Sequence, residues 1–121
     1  MKVYSGKRVF ERESTTRGEP FVVVENVADD GPSDRRPLTH VPYHSPDGVE
    51  WGYAGSGPAD LALAILADYF EEPPEFVLAA LRSMWTPRSK AAALHQRFKE
   101  RFVATQQTLG APGQLALALL R

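Results

Sequence analysis

The chain has 121 residues, of which 43% are apolar and 24% charged, with a net charge of −1 and no cysteine. That length predicts a single domain, 1–121, large enough to bury a core without staples. The missing cysteines exclude disulfides, thiolate catalysis and cysteine-ligated zinc or iron–sulfur centres, and no apolar run reaches the roughly 20 residues that span a bilayer.

The first half reads as strands. Lys2-Val3-Tyr4 and Arg8-Val9-Phe10 flank Ser5-Gly6, with β-branched and aromatic residues around a turn signal. The polar stretch ERESTTRGE reads as a hairpin loop leading to the short β-branched strand Phe21–Glu25. Ala28–Pro37 reads as a second loop, and Leu38–Val41 as a third strand ended by Pro42. Ser45-Pro46-Asp47-Gly48 carries the residue order of a type I turn. Val49–Tyr53 then predicts a strand with Val49, Trp51 and Tyr53 on one face.

The second half reads as helices. Pro58 fits a first helical position, with Ser56 or Gly57 as cap and Asp60 favoured in the first turn by the helix dipole. Leu61, Leu63, Ile65, Leu66, Tyr69 and Phe70 occupy most angles about the axis, which marks a central, buried helix. Glu71-Glu72-Pro73-Pro74 stops it and starts another, with Phe76, Val77, Leu78, Leu81 and Trp85 as its apolar side. Thr86-Pro87 is a cap-and-start pair for a longer helix, on which Ala91, Leu94, Phe98 and Phe102 share one stripe. Gly113–Arg121 reads as a last short helix. Strands followed by helices predict an α+β fold. A strand-rich part, 1–54, forms an antiparallel sheet of three to four strands, packed against three to four helices from the helix-rich part, 57–121.

The junction WGYAGSGPADLALAIL, Trp51 to Leu66, admits two readings. In one, Gly55, Ser56 and Gly57 present backbone N–H groups at the positive end of a helix, where phosphates and carboxylates bind, with Trp51 and Tyr53 as a stacking wall. In the other, the glycines let the chain turn sharply from a sheet into a buried helix. The sequence favours the corner. No nucleophile elbow, phosphate-binding loop or G-x-G-x-x-G fingerprint can be fitted to it, so no catalytic residue and no cofactor is expected.

The run HSPDGVEWGYAGSGPADLALAIL (His44–Leu66), with Val3-Tyr4-x-Gly6 and a late Phe98-Lys99, resembles a family of small uncharacterised domains carried by bacteria and their phages. Its hallmark is similar to W-G-Y-G-G-S-G-P-x-x-L-A-L-A, from which this chain departs at Ala54. The resemblance implies a phage or mobile-element setting and no assigned activity.

His40, His44 and Asp47 lie close in sequence, but their directions around Pro42 are not fixed, and no metal site is expected. His95 is expected at the edge of the long helix. Charge is segregated: residues 29–75 carry two basic and ten acidic groups, and residues 76–101 six basic and one acidic. Lys90, Arg97 and Arg101 flank one side of the long helix's apolar stripe and are candidate partner-binding residues. The chain lacks the apolar core of a signal peptide near its first residues, so a cytoplasmic location is expected. The first expectation is a non-enzymatic interaction protein that binds and modulates a host protein, for instance by inhibiting a defence system. The second is a small-molecule or phosphate binder, in one version an enzyme, using Ser56, the flanking glycines, Trp51 and Tyr53. The third is nucleic-acid binding through the basic helix, against which the sequence pI of about 6.3 counts.

Overall fold

A computed structural model describes residues 1–9, 19–27, 34–83, 88–106 and 115–119. It confirms the α+β class, with an antiparallel sheet and, among the described residues, three α-helices, and the chain divides into two compact units.

The first unit, Met1–Leu38 with Gln107–Arg121, holds the sheet. Its described strands are β1 (Lys2–Val9), β2 (Glu19–Asn26), β3 (Asp34–Pro37) and β4 (Leu115–Leu119), in the order β3-β2-β1-β4. All pairings are antiparallel, with Ser5 opposite both Val23 of β2 and Ala116 of β4. Strand side chains alternate between faces. Lys2, Tyr4, Gly6, Val22 and Val24 are accordingly buried, while Ser5 and Val23 are intermediate and Lys7 and Phe21 exposed.

Three expectations are corrected here. Ser5-Gly6 is not a turn: Gly6 pairs with Val22 and Leu115, and β1 runs through it without a break. The third strand is Asp34–Pro37, the end of the expected loop, rather than Leu38–Val41; ladder bonds to β2 outweigh the poor strand propensity of its exposed charged residues. The segment read as a last helix is instead β4, because Leu and Ala alternate and β1 supplies a partner for its backbone. The loop ERESTTRGE, apart from Glu19, lies outside the described residues.

The second unit, Thr39–Gln106, holds α1 (Ser56–Tyr69), α2 (Pro74–Arg82), α3 (Lys90–Phe98) and a π-helical turn (Lys99–Val103) that prolongs α3. Residues 57–67 of α1 are all buried, as its all-round apolar pattern requires. It packs chiefly on α3 and the π-turn, and α2 lies against α3. Val41, Trp51, Val77, Ala91, Ala92 and Val103 complete the core. Glu71 adopts φ 57° at the end of α1, and Pro73 then caps α2. Phe76, expected inside, is exposed, and Val77 is the buried residue of α2. Val49–Tyr53 is not a strand; the chain bends there, with Gly52 at φ 89° in the left-handed region rather than in the extended one. No helix among the described residues is long and apolar enough to cross a membrane.

The stripe on α3 is also displaced from its expected phase. Ala91, Ala92, His95 and Val103 face inward, and Leu94 and Phe102 are 43% and 46% exposed. The π-turn widens the repeat beyond 3.6 residues and rotates the positions after Phe98 about the helix axis. Trp85, Thr86 and Pro87 lie outside the described residues, and the N-cap of α3 is Ser89, whose hydroxyl accepts from the Ala92 amide at 3.0 Å.

Candidate functional site

The polar centre of the second unit is built on Asp60, the fifth residue of α1 and so beyond the first turn in which the sequence placed it. A carboxylate removed from water must find its hydrogen bonds inside the protein. Asp60 is fully buried, and the segment His40–Ser45 wraps around it to supply them. The amides of His44 and Ser45 donate to Oδ1 and Oδ2 at 2.7 and 2.9 Å. The Tyr43 amide donates to both oxygens at 3.4 and 3.2 Å, and His40 Nε2 donates to Oδ2 at 2.9 Å. These donors fill the acceptor sites of a carboxylate. Asp60 therefore ties a loop to a helix rather than serving only the dipole, as the sequence suggested.

This tie fixes His44. Its Nε2 lies 2.9 Å from Nε2 of His95 on α3. His95 Nδ1 is 2.7 Å from the Ala92 carbonyl, which only accepts, so Nδ1 carries the proton. A neutral His95 then presents a bare Nε2, and His44 Nε2–H is the donor. Burial lowers the pKa of His95 below its ordinary value; the Ala92 carbonyl opposes that shift, and nearby His44 adds to it. The pair is a locked link between loop and helix, not the edge residue expected of His95.

The three residues weighed as metal ligands are drawn apart: His40 bonds Asp60, His44 bonds His95, and Asp47 is an exposed turn residue. Among the described residues no group of three or more His, Cys, Asp or Glu side chains is placed to hold a metal ion.

At the glycine–proline junction the chain turns tightly. A Cβ on Gly57 would stand 2.8 Å from Cβ of Glu50, and one on Gly55 would stand 2.7 Å from the Tyr53 ring. Trp51 is buried, whereas Tyr53 and Ser56 are exposed, so the two aromatics do not stand together as one wall. The N-cap of α1 is Gly55, with no side-chain cap; Ser56 is already helical, contrary to the expected capping role.

The helix terminus that does hold an anion is that of α3, and the anion is the protein's own. Glu72 accepts from the Ser89 hydroxyl at 2.8 Å and from the amides of Lys90 and Ala91 at 3.0 Å each. With Ser89 it satisfies the leading N–H groups of α3. No motif announces this partner, which comes from the other side of α2. The Lys90 ammonium lies 5.4 Å from the Phe70 ring centroid, in cation–π range. Lys90, Arg97 and Arg101 are all exposed, and the last two flank the outward stripe of Leu94 and Phe102. Phe98 and Phe102 pack ring to ring at 5.1 Å.

No curated protein and no solved structure matches the chain. A family model does match, over a stretch that includes the Asp60 tie and the glycine–proline junction but stops short of α3. Since that match, residues 4–77, spans more than half the chain, the protein belongs to the family of unknown function DUF6166.

Proposed function

We propose that the protein is a non-enzymatic interaction domain of phage or mobile-element type that binds and modulates a host protein in the cytoplasm, inhibition of a defence system being the concrete form. The observation that carries this reading is the outward face of α3 and its π-turn. Leu94 and Phe102 are large apolar groups left to solvent, and Arg97 and Arg101 stand beside them. Aromatic and apolar anchors with arginine are what interface centres are made of. Residues 88–101 carry five basic groups and one acidic group, so the matching partner surface is apolar at its centre and acidic at its rim.

The test is capture of host proteins by the wild-type chain and by Leu94→Asp and Arg97→Glu/Arg101→Glu variants. The expected result is a partner retained by the wild type and lost by both variants, with a binding interface that protects α3 from hydrogen exchange. A partner held equally by all three forms would refute the assignment of the surface. Binding that instead tracks nucleic acid, with affinity falling steeply as salt rises, would favour the third sequence expectation.

A further inference from the structure

We propose that the open face of the sheet is a binding site for a small phosphorylated aromatic ligand of nucleotide type. This face shares no residue with the outward surface of α3. It contains a cavity of about 460 Å³ lined by Ser5, Lys7, Phe21, Val23, Arg35 and Ala116. That volume falls within the roughly 300–1,000 Å³ of small-molecule sites.

The strand register explains why a hollow forms there. Ser5 lies between Val23 and Ala116 in one cross-strand row, so the floor is made of small or β-branched residues. Lys7 and Phe21 are directly opposed in the row at one end. Arg35 stands at the other end, opposite Glu25, which does not line the hollow. Long side chains around a short-residue floor make a rimmed depression on a surface that is otherwise flat.

The chemistry of the lining selects the ligand. Phe21 is 45% exposed on a strand, a position that leaves an aromatic ring available to a flat partner. Lys7 and Arg35 are both exposed cations at opposite ends, and among the described residues the lining contains no carboxylate. Their strands are two apart, about 10 Å, and their rows four residues apart, about 13 Å, so the two backbones stand roughly 16 Å from each other and a phosphate lying between them over the floor is within reach of both extended side chains. The Ser5 hydroxyl adds a donor at the base. A planar base on Phe21 with its phosphate toward the cations uses every one of these groups. A volume of about 460 Å³ suits one nucleotide unit rather than a continuous strand.

The test is calorimetric titration of the full chain with AMP, adenosine and inorganic phosphate. AMP is expected to bind, with adenosine and phosphate each weaker by about tenfold or more, because each lacks one half of the recognised chemistry. Lys7→Gln and Arg35→Gln are expected to weaken AMP by roughly five- to tenfold each. Phe21→Ala is expected to weaken it about ten- to hundredfold, and Ala116→Leu, which fills the floor, to abolish it. Thermal unfolding of each variant confirms that it is folded. A 5′-phosphorylated single strand that competes with AMP would identify a strand end as the source of the nucleotide; one that does not compete would leave the free nucleotide. The proposal is overturned if AMP shows no binding up to about 10 mM, if adenosine or phosphate binds as well as AMP, or if folded Lys7→Gln, Arg35→Gln and Phe21→Ala bind AMP like the wild type.

Discussion

Replacing Asp60 by asparagine changes one oxygen for an amide nitrogen and leaves volume and shape intact. The loss is therefore confined to hydrogen bonding. The carboxylate accepts from two backbone amides at 2.7 and 2.9 Å, one on each oxygen. An asparagine side chain has one acceptor oxygen, so whichever way it sits, its NH₂ group confronts the amide of His44 or of Ser45. His40 can meet an NH₂ by changing tautomer, and the split Tyr43 bond is long and weak. One buried amide is left unsatisfied, at about 1–3 kcal/mol, and the bond that remains loses its charge-assisted strength, about 1–2 kcal/mol. The sum is about 2–5 kcal/mol. A chain of 121 residues unfolds with an entropy of about 0.25 kcal/mol/K, so Tm should fall by about 8–20 °C. Circular dichroism melts of wild type and Asp60→Asn measure this directly. A variant melting within about 2 °C of wild type would mean that the loop 40–45 is not held by this carboxylate.

The same contacts carry other consequences. His95 has a depressed pKa in the folded state and titrates near 6.5 once unfolded, so the unfolded chain binds the proton first. Its contribution is complete above about pH 6.5 and is lost as pH falls below that, with a slope of at most about 1.4 kcal/mol per pH unit; urea midpoints between pH 5 and 8 should show a shallower decline in His95→Gln than in wild type. Glu72→Ala removes the acceptor for the Ser89 hydroxyl and for two α3 amides, and should cost about 1–2 kcal/mol in chemical denaturation, with Glu72→Gln losing less. Gly57→Ala drives a methyl group against the Glu50 stem and its backbone nitrogen, at 2.8 and 3.3 Å, and should cost about 1–3 kcal/mol. Gly55→Ala meets only the exposed Tyr53 ring, which can swing away, so its melt should lie closer to wild type.

The features readable from the sequence are local ones. Apolar residues at every angle of 58–70 specify a buried helix whatever surrounds it, and α1 is that helix. Glu71-Glu72-Pro73-Pro74 ends one helix and opens the next because proline lacks the amide that would continue the first. The α+β class was legible from the same patterns. The mistaken elements are those whose backbone had a choice. Leu115–Leu119 alternates Leu and Ala, a pattern that serves helix or strand, and only β1 beside it decides for the strand. Asp34–Pro37 has little strand propensity and is a strand because β2 offers its ladder.

The polar centre was even less visible. Asp60 reads as a first-turn acid, yet its partners lie 15–20 residues upstream, and His44 meets His95 across 51 residues of chain. On α3 the apolar stripe was seen in the wrong phase: Leu94, ahead of the π-turn, is already exposed, and packing on α1 covers the side of Ala91, Ala92 and His95 instead. What the sequence determined by itself is composition, charge segregation, the buried helix and its stops, because these depend on neighbours along the chain. What only the tertiary structure decided is which strands pair, which acid is buried and which face of α3 is left to solvent, because those depend on groups that folding alone brings within hydrogen-bonding or packing distance.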